Sequence, residues 1–331
     1  MKYKNFGQTG LKISELCFGT MSFGAEADEK TSAEMLAVCR DEGLNIFDCA
    51  DLYARGQAEE ILGRLIKDCR QEVILTSKVY FPTGPDQNAM GANRRHIMYA
   101  IEGSLRRLQT DRLDIYFIHR FDDITPLEET LRALDDLVHQ GKVVYLGLSN
   151  MAAWQIEKAI GISALYSLAP VACIQPMYNL VKRQAEVEIF PLAEAEKLGV
   201  LPYSPLAGGL LSGKYGKNKQ PASGRLVENK IYKTRYHDDQ AFEVADRFTE
   251  FAREHGYNPV SLAVAWVGSH PAVSAPIIGA RNVNQLKDIL AATEINMTPE
   301  LRQQISNLSP EPAPATDRSE EKTDVHFPIR K

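Results

Sequence analysis

The chain has 331 residues, 44% of them hydrophobic, and a net charge of −5. That suffices for a large core in one domain spanning 1–331, and no basic stripe marks a nucleic-acid-binding surface. No apolar run approaches the ~18 residues of a membrane span, and Met1–Asn5 leads into no signal-peptide core. The five cysteines are scattered without C-x-x-C spacing, which predicts free thiols in a reducing cytosol and hence a cytoplasmic protein.

In chain order, residues 3–13 read as a short hairpin around Gly7-Gln8-Thr9-Gly10. Strand-like runs follow at 16–19, 45–49, 73–77, 114–119, 143–149, 171–175, 200–203 and 274–279. Helical patterns lie between them at 31–42, 58–67, 94–108, 126–140, 152–159 and 184–197. Thr31 and Thr125 stand as helix N-caps with Glu34 and Glu128 three residues on, and Gly43, Gly141 and Gly199 as C-terminal glycines. Eight strands alternating with helices predict an α/β fold, a (β/α)8 TIM barrel whose N-terminal mouth the hairpin plugs. A doubly wound sheet would carry G-x-G-x-x-G after its first strand, and Cys17-Phe18-Gly19-Thr20-Met21-Ser22-Phe23-Gly24 does not.

Two segments break the rhythm. Strand seven is followed by an extended loop that opens Gly-rich at 206–216, passes a polar stretch at 217–229 and turns helical at 240–255 and 260–268. Residues 309–331 form a polar C-terminal tail, read as an extended or partly disordered arm.

Four polar residues sit at or just past the ends of strands two to four: Asp48, Tyr53, Lys78 and His119. Each alone has a plainer reading: a turn cap, a rim aromatic, a snorkelling lysine, a structural imidazole. In one barrel their strand ends converge, and a single site accounts for all four. A lysine ammonium near a tyrosine favours the phenolate, Asp48 would keep that lysine charged, and His119 could meet a substrate oxygen. The set is a proton donor aimed at a carbonyl oxygen. Reduction then needs a hydride donor opposite it, so a nicotinamide cofactor is expected.

Phe47-Asp48-Cys49-Ala50-Asp51-Leu52-Tyr53, Thr76-Ser77-Lys78 and Asp114–Arg120 together resemble the aldo-keto reductases. Leu11–Met21 and Gly141–Asn150 share the likeness, which runs from about residue 3 to about residue 292 in the family's order. The resemblance implies Tyr53 as general acid, Lys78 as the partner that lowers its pKa, Asp48 as anchor of Lys78, and His119 as carbonyl orienter. It also implies that Ser149, Asn150 and Gln175 hold the nicotinamide carboxamide while Tyr203 stacks on the ring. Ser204, Leu206, Gly208 and Lys214 then belong to a loop crossing the pyrophosphate. Gly279, Arg281, Gln285 and Asp288 would grip the adenosine end, with Arg281 favouring NADPH over NADH. Ile289 stands where the family commonly has Asn. Gly208–Tyr215 matches a P-loop except at its last position, where Tyr215 replaces the magnesium-binding hydroxyl, so triphosphate chemistry is rejected.

Phe23, Phe81 and Phe121, each just beyond a strand end, are expected to wall an apolar substrate pocket for aldehydes or small ketones. Two other functions compete with NADPH-dependent carbonyl reduction. One is a non-catalytic NADPH-binding regulatory subunit. The other is a lyase using Lys78 as Schiff-base nucleophile, which ion pairing to Asp48 opposes. Oligomeric state cannot be read from the residues.

Overall fold

The computed structural model describes residues 1–318. Strands β1 (Tyr3–Asn5) and β2 (Lys12–Ser14) pair antiparallel as the hairpin. Eight parallel strands follow: β3 (Cys17–Gly19), β4 (Ile46–Asp48), β5 (Ile74–Val79), β6 (Leu113–Ile118), β7 (Val143–Ser149), β8 (Val171–Gln175), β9 (Gly199–Val200) and β10 (Ile277–Ile278). They run side by side in sequence order, with β10 next to β3. Tyr203 closes the ring by bridging to Met177 on one side and Ile277 on the other, and the Ile277 N–H donates to the Pro202 carbonyl at 2.8 Å. The fold is the (β/α)8 barrel.

Alternation along the strands sorts their side chains into two layers. Inward positions begin apolar, with Cys17, Ile46, Ile74, Ile115, Cys173, Leu201 and Ile277 packed together. The hairpin residues Phe6 and Ile13, both fully buried, complete this cluster and plug the N-terminal mouth. A Cβ on Gly199 would lie 2.4 Å from the Phe6 ring, so Gly199 is needed for that close approach. It does not end a helix; the left-handed residue there is Lys197 (φ 51°). Gly43 (φ 83°) and Gly141 (φ 69°) do hold positive φ after helices.

Two or four residues further along each strand, the same inward face turns polar. Ile46 leads to Asp48, Ile74 to Thr76 and Lys78, Ile115 to His119, Cys173 to Gln175, and Leu201 to Tyr203. The hydrophobic floor and the polar ceiling are therefore parts of one ladder. Outward positions pack under the surrounding helices. Helix Arg94–Leu108 is representative: Asn93 Oδ1 caps the His96 N–H at 2.9 Å, and Ile97, Ala100, Ile101, Leu105 and Leu108 form its buried stripe.

Several local expectations shift. Helix Glu29–Asp41 is capped by Asp28, which accepts the Thr31 N–H at 2.8 Å, so Thr31 is not its cap. Thr125 is not a cap either: Pro126 precedes helix Leu127–His139, and Thr125 donates its hydroxyl to Asp122 at 2.8 Å. The single helix expected at 184–197 splits into a 3₁₀ turn, Gln184–Glu186, and helix Ile189–Ala195. The extended loop carries a 3₁₀ turn, Ala207–Ser212, and helices Arg225–Glu228, Lys230–Arg235, Asp239–Glu254 and Pro259–Gly268. A final helix, Pro299–Ser306, precedes the tail, of which residues 319–331 lie outside the described residues. No helix among the described residues is long and apolar enough to cross a membrane, and all five cysteines are free.

Candidate active site

A cavity of about 690 Å³ opens at the C-terminal ends of the strands, in the ~300–1,000 Å³ range of small-molecule and cofactor sites. The Lys78 ammonium lies beneath its floor, fully buried. It donates to Asp48 Oδ2 at 2.6 Å, to the Cys49 carbonyl at 2.7 Å and to the Tyr53 hydroxyl oxygen at 3.2 Å. These three acceptors use all three of its N–H groups. An ammonium cannot accept, so Tyr53 is the acceptor in that contact and its own proton is free to point elsewhere. Asp48 is in register with Thr76 and is held in turn: its Oδ1 accepts from the Thr76 hydroxyl at 2.8 Å and from Gln175 Nε2 at 2.9 Å.

Burial raises the Tyr53 pKa, and the Lys78 charge beside it pulls in the opposite direction without overcoming burial. The sequence-based expectation of a lowered value is met in its cause, not in its net result. Burial also works against the Lys78 charge, but Asp48 and Tyr53 outweigh it and hold that pKa above the ordinary lysine value. His119 stands edge-on to Tyr53 (ring centroids 6.2 Å apart) and to Phe81 (5.1 Å). Burial, and then the Lys78 charge, push the His119 pKa well below its usual value, so the imidazole is neutral. Its Nδ1 is sealed without a partner, which leaves Nε2 as the ring nitrogen facing the cavity.

The strand-five and strand-six polar residues form a network of their own. Asn150, at φ 53°, donates Nδ2 to the His119 carbonyl at 2.9 Å and to Ser149 Oγ at 3.0 Å. Its Oδ1 accepts from the Tyr203 hydroxyl at 2.6 Å. Ser149 donates to the Gln175 carbonyl at 2.9 Å and is buried behind the cavity wall, away from its surface. Both Asn150 amide N–H groups and one of Gln175 are thus engaged, while lone pairs on Asn150 Oδ1 and Gln175 Oε1 remain. Asn150, Gln175 and Tyr203 line the cavity.

So do Ser204, Leu206, Gly208 and Lys214 on the extended loop. Ser204 (φ 65°), Ala207 (φ 51°), Gly208 (φ 69°) and Gly209 (φ 99°) place left-handed backbone along that edge, a concentration of strain of the kind seen at ligand sites. At the far end the wall includes Gly279, Arg281, Gln285, Asp288 and the nearly buried Ile289. Arg281 Nη2 lies 3.3 Å, and Arg225 Nε 3.6 Å, from the same oxygen of Glu26. Burial lowers the Lys214 pKa and the charges of Arg281 and Arg225 lower it further, so the three cations form one cluster.

Of the three phenylalanines, only Phe81 lines the cavity. Phe23 is fully buried against Phe18, at 5.8 Å between centroids, because Phe18 faces outward from its strand and the turn delivers Phe23 to the helix layer. Phe121 turns away to meet Trp154 at 5.9 Å. Neither walls the pocket. Sequence reasoning missed Arg120, Arg225, Tyr232 and Arg235, which do line it. The last three lie in or beyond the polar stretch of the extended loop, where no periodicity signals a direction; Arg120 directly follows His119 and could have been inferred.

The Aldo/keto reductase family model matches residues 15–309. A probable voltage-gated potassium channel subunit beta of Oryza sativa subsp. japonica is 38% identical over 91% of this chain and 94% of its own. A protein described as uncharacterized oxidoreductase YrpG of Bacillus subtilis (strain 168) is 36% identical over 96% of this chain and 98% of its own. A probable channel subunit beta of Arabidopsis thaliana is 37% identical over 89% and 92%. With the barrel, the buried lysine and the cavity above it, these matches establish that the chain belongs to the aldo/keto reductase family.

Proposed function

We propose that this protein reduces aldehydes or ketones to alcohols with NADPH, reversibly. The observation that carries this reading is the buried relay Asp48–Lys78–Tyr53, which leaves the Tyr53 proton as the only one of the three groups' protons free for transfer. When bound, the nicotinamide supplies hydride to the carbonyl carbon. Tyr53 gives its proton to the carbonyl oxygen, and the adjacent Lys78 charge stabilises the tyrosinate left behind. Asp48 keeps Lys78 charged. Neutral His119, protonated at Nε2, donates a hydrogen bond that fixes the substrate oxygen. Because burial keeps Tyr53 protonated, the acid is present in its active form throughout the neutral range.

Lone pairs of Asn150 and Gln175 suit the amide nitrogen of a carboxamide, and Tyr203 offers a ring face. Lys214, Arg225 and Arg281 suit the phosphates, with Arg281 toward a 2′-phosphate and hence NADPH over NADH. Five free thiols accord with a reducing, cytoplasmic setting. A second reading is a nucleotide-sensing regulatory subunit, favoured by the names of two plant relatives. A Schiff-base lyase is disfavoured, since Lys78 is held as an ammonium with every N–H occupied. Multiple-turnover loss of NADPH absorbance across a panel of aldehydes, ketones and sugars is the test. Tight NADPH binding without turnover would favour the regulatory subunit.

A further inference from the structure

The cavity wall carries five cationic side chains, Arg120, Lys214, Arg225, Arg235 and Arg281. Lys214, Arg225 and Arg281 form one cluster, sharing Glu26 and Glu228 as nearby carboxylates. Two further guanidinium groups line the cavity: Arg120, and Arg235 on the Tyr232 ring that also carries Arg225 at 5.5 Å. Arg120 directly follows His119 and lines the cavity, its guanidinium 5.8 Å from the centre of the Tyr80 ring. Arg120 is itself exposed, and its carboxylate neighbour among the described residues is the exposed Asp123, at 3.7 Å, a contact of little energetic weight. Arg235 also lines the cavity and is only partly exposed. It lies over the rings of Tyr232 (5.1 Å) and Tyr203 (5.9 Å), with no carboxylate in ion-pair range among the described residues. Tyr203 is bonded to Asn150, and Asn150 to the His119 backbone carbonyl, so these contacts link Arg235 to the strand end that carries His119.

A half-buried arginine without a counter-ion is costly unless a ligand supplies one. The phosphates of a bound dinucleotide would answer the cluster of Lys214, Arg225 and Arg281. Among the described residues no carboxylate pairs with Arg235, and the exposed Arg120 has only a weak surface contact with Asp123. We propose that the carbonyl substrate carries an anionic group, a carboxylate or a phosphate, which Arg120 and Arg235 bind while Tyr53 and His119 meet the carbonyl oxygen. This rests on the carbonyl-reductase reading and adds the substrate class to it. Guanidinium recognises both anions through paired N–H donors, so the chemistry is shared. Neutral aldehydes of the same length then fit the cavity but forgo the charge-assisted contacts.

The test compares matched substrates: succinic semialdehyde against butanal for a carboxylate, and glyceraldehyde phosphate against glyceraldehyde for a phosphate. The charged member of at least one pair should have a kcat/KM about tenfold or more above its neutral partner, the size of a charge-assisted hydrogen bond. That ratio should collapse in Arg120→Met and Arg235→Met and shrink with added salt. The larger ratio identifies the anion. Equal kcat/KM within both pairs, or a ratio that neither substitution changes, would overturn the proposal. A second arm needs no turnover: calorimetric titration of the NADP⁺-saturated protein with gamma-hydroxybutyrate and with butanol. Binding of the acid alone, weakened by Arg120→Met, supports the anion site even where every aldehyde proves inert and the reductase reading fails. Equal or absent binding of acid and alcohol counts against it.

Discussion

Gln175 Nε2 donates to Asp48 Oδ1 at 2.9 Å, across the barrel and 127 residues apart in the chain. This bond joins the proton side of the site, built on β4 to β6, to the side built on β7 to β9. It also fills the second acceptor site on Oδ1 of the carboxylate that anchors Lys78. The Gln175 nitrogen thereby braces Asp48 while the residue itself lines the cavity.

Replacing Asp48 by Asn should cost both stability and activity. The Lys78 ammonium would stay in a dry site without its charge partner, and such single deletions cost ~3–5 kcal/mol. Urea denaturation should show the loss. Turnover should fall with it, because a lysine that surrenders its charge no longer stabilises tyrosinate. Unchanged stability would mean that Gln175 and Cys49, not Asp48, hold that corner.

Tyr53→Phe removes the proton that the Lys78 contact leaves free at the cavity floor. Reduction should fall by about 10²–10⁴-fold, the usual worth of general acid catalysis. NADPH binding, followed by fluorescence titration, should persist because Tyr53 contributes no cation to the phosphate cluster. Full activity in this variant would refute the acid assignment.

Arg281→Ala should weaken NADPH far more than NADH. A charge-assisted contact to the 2′-phosphate is worth ~1.5–3 kcal/mol, or about 10–100-fold in Kd. Dissociation constants for both cofactors, measured by titration, decide it. Equal losses would remove Arg281 from the 2′-phosphate.

Asp51 predicts an unusual pH dependence. It is buried, neither oxygen makes a well-aligned hydrogen bond, and burial followed by repulsion from Glu59 pushes its pKa up to about 8 against a weaker pull from the Leu52 N–H. Arg107 and Lys78 oppose that rise without cancelling it, and the buried Tyr116 hydroxyl lies within its field. Between the ordinary Asp value and about 8, the folded protein keeps a proton that the unfolded chain has lost. Stability from this group therefore declines as pH rises through that window, by at most ~1.4 kcal/mol per pH unit, and levels off above it. Asp51→Asn should remove the decline and gain most over wild type near pH 8. Parallel stability–pH curves for the two proteins would contradict this.

Gly199→Ala tests the plug. A methyl group would meet the Phe6 ring at 2.4 Å, and overpacking of a filled core costs ~1–3 kcal/mol. The melting temperature should drop accordingly. An unchanged melting temperature would show that Phe6 can shift without penalty.

Local pattern was sufficient for the order of strands and helices and for the positions of the four residues at the ends of β4 to β6. Those are short-range properties: runs of apolar residues, the spacing of helical stripes, and a polar residue where a buried run stops. Strand alternation carries further than it was used, since Ile46 to Asp48, Ile74 to Lys78 and Ile115 to His119 share inward faces. Alternation ceases beyond the strand end, and there the residues alone gave no direction. Phe23 and Phe121 follow strands as closely as Phe81 does, yet the turn geometry sends one into the helix layer and one onto Trp154. The bond from Gln175 to Asp48 and the entry of Arg235 into the cavity depend on barrel closure and on the path of the extended loop. Distance along a chain carries no information about such meetings. They follow from how the strands close around a filled core, which is a property of the packed whole.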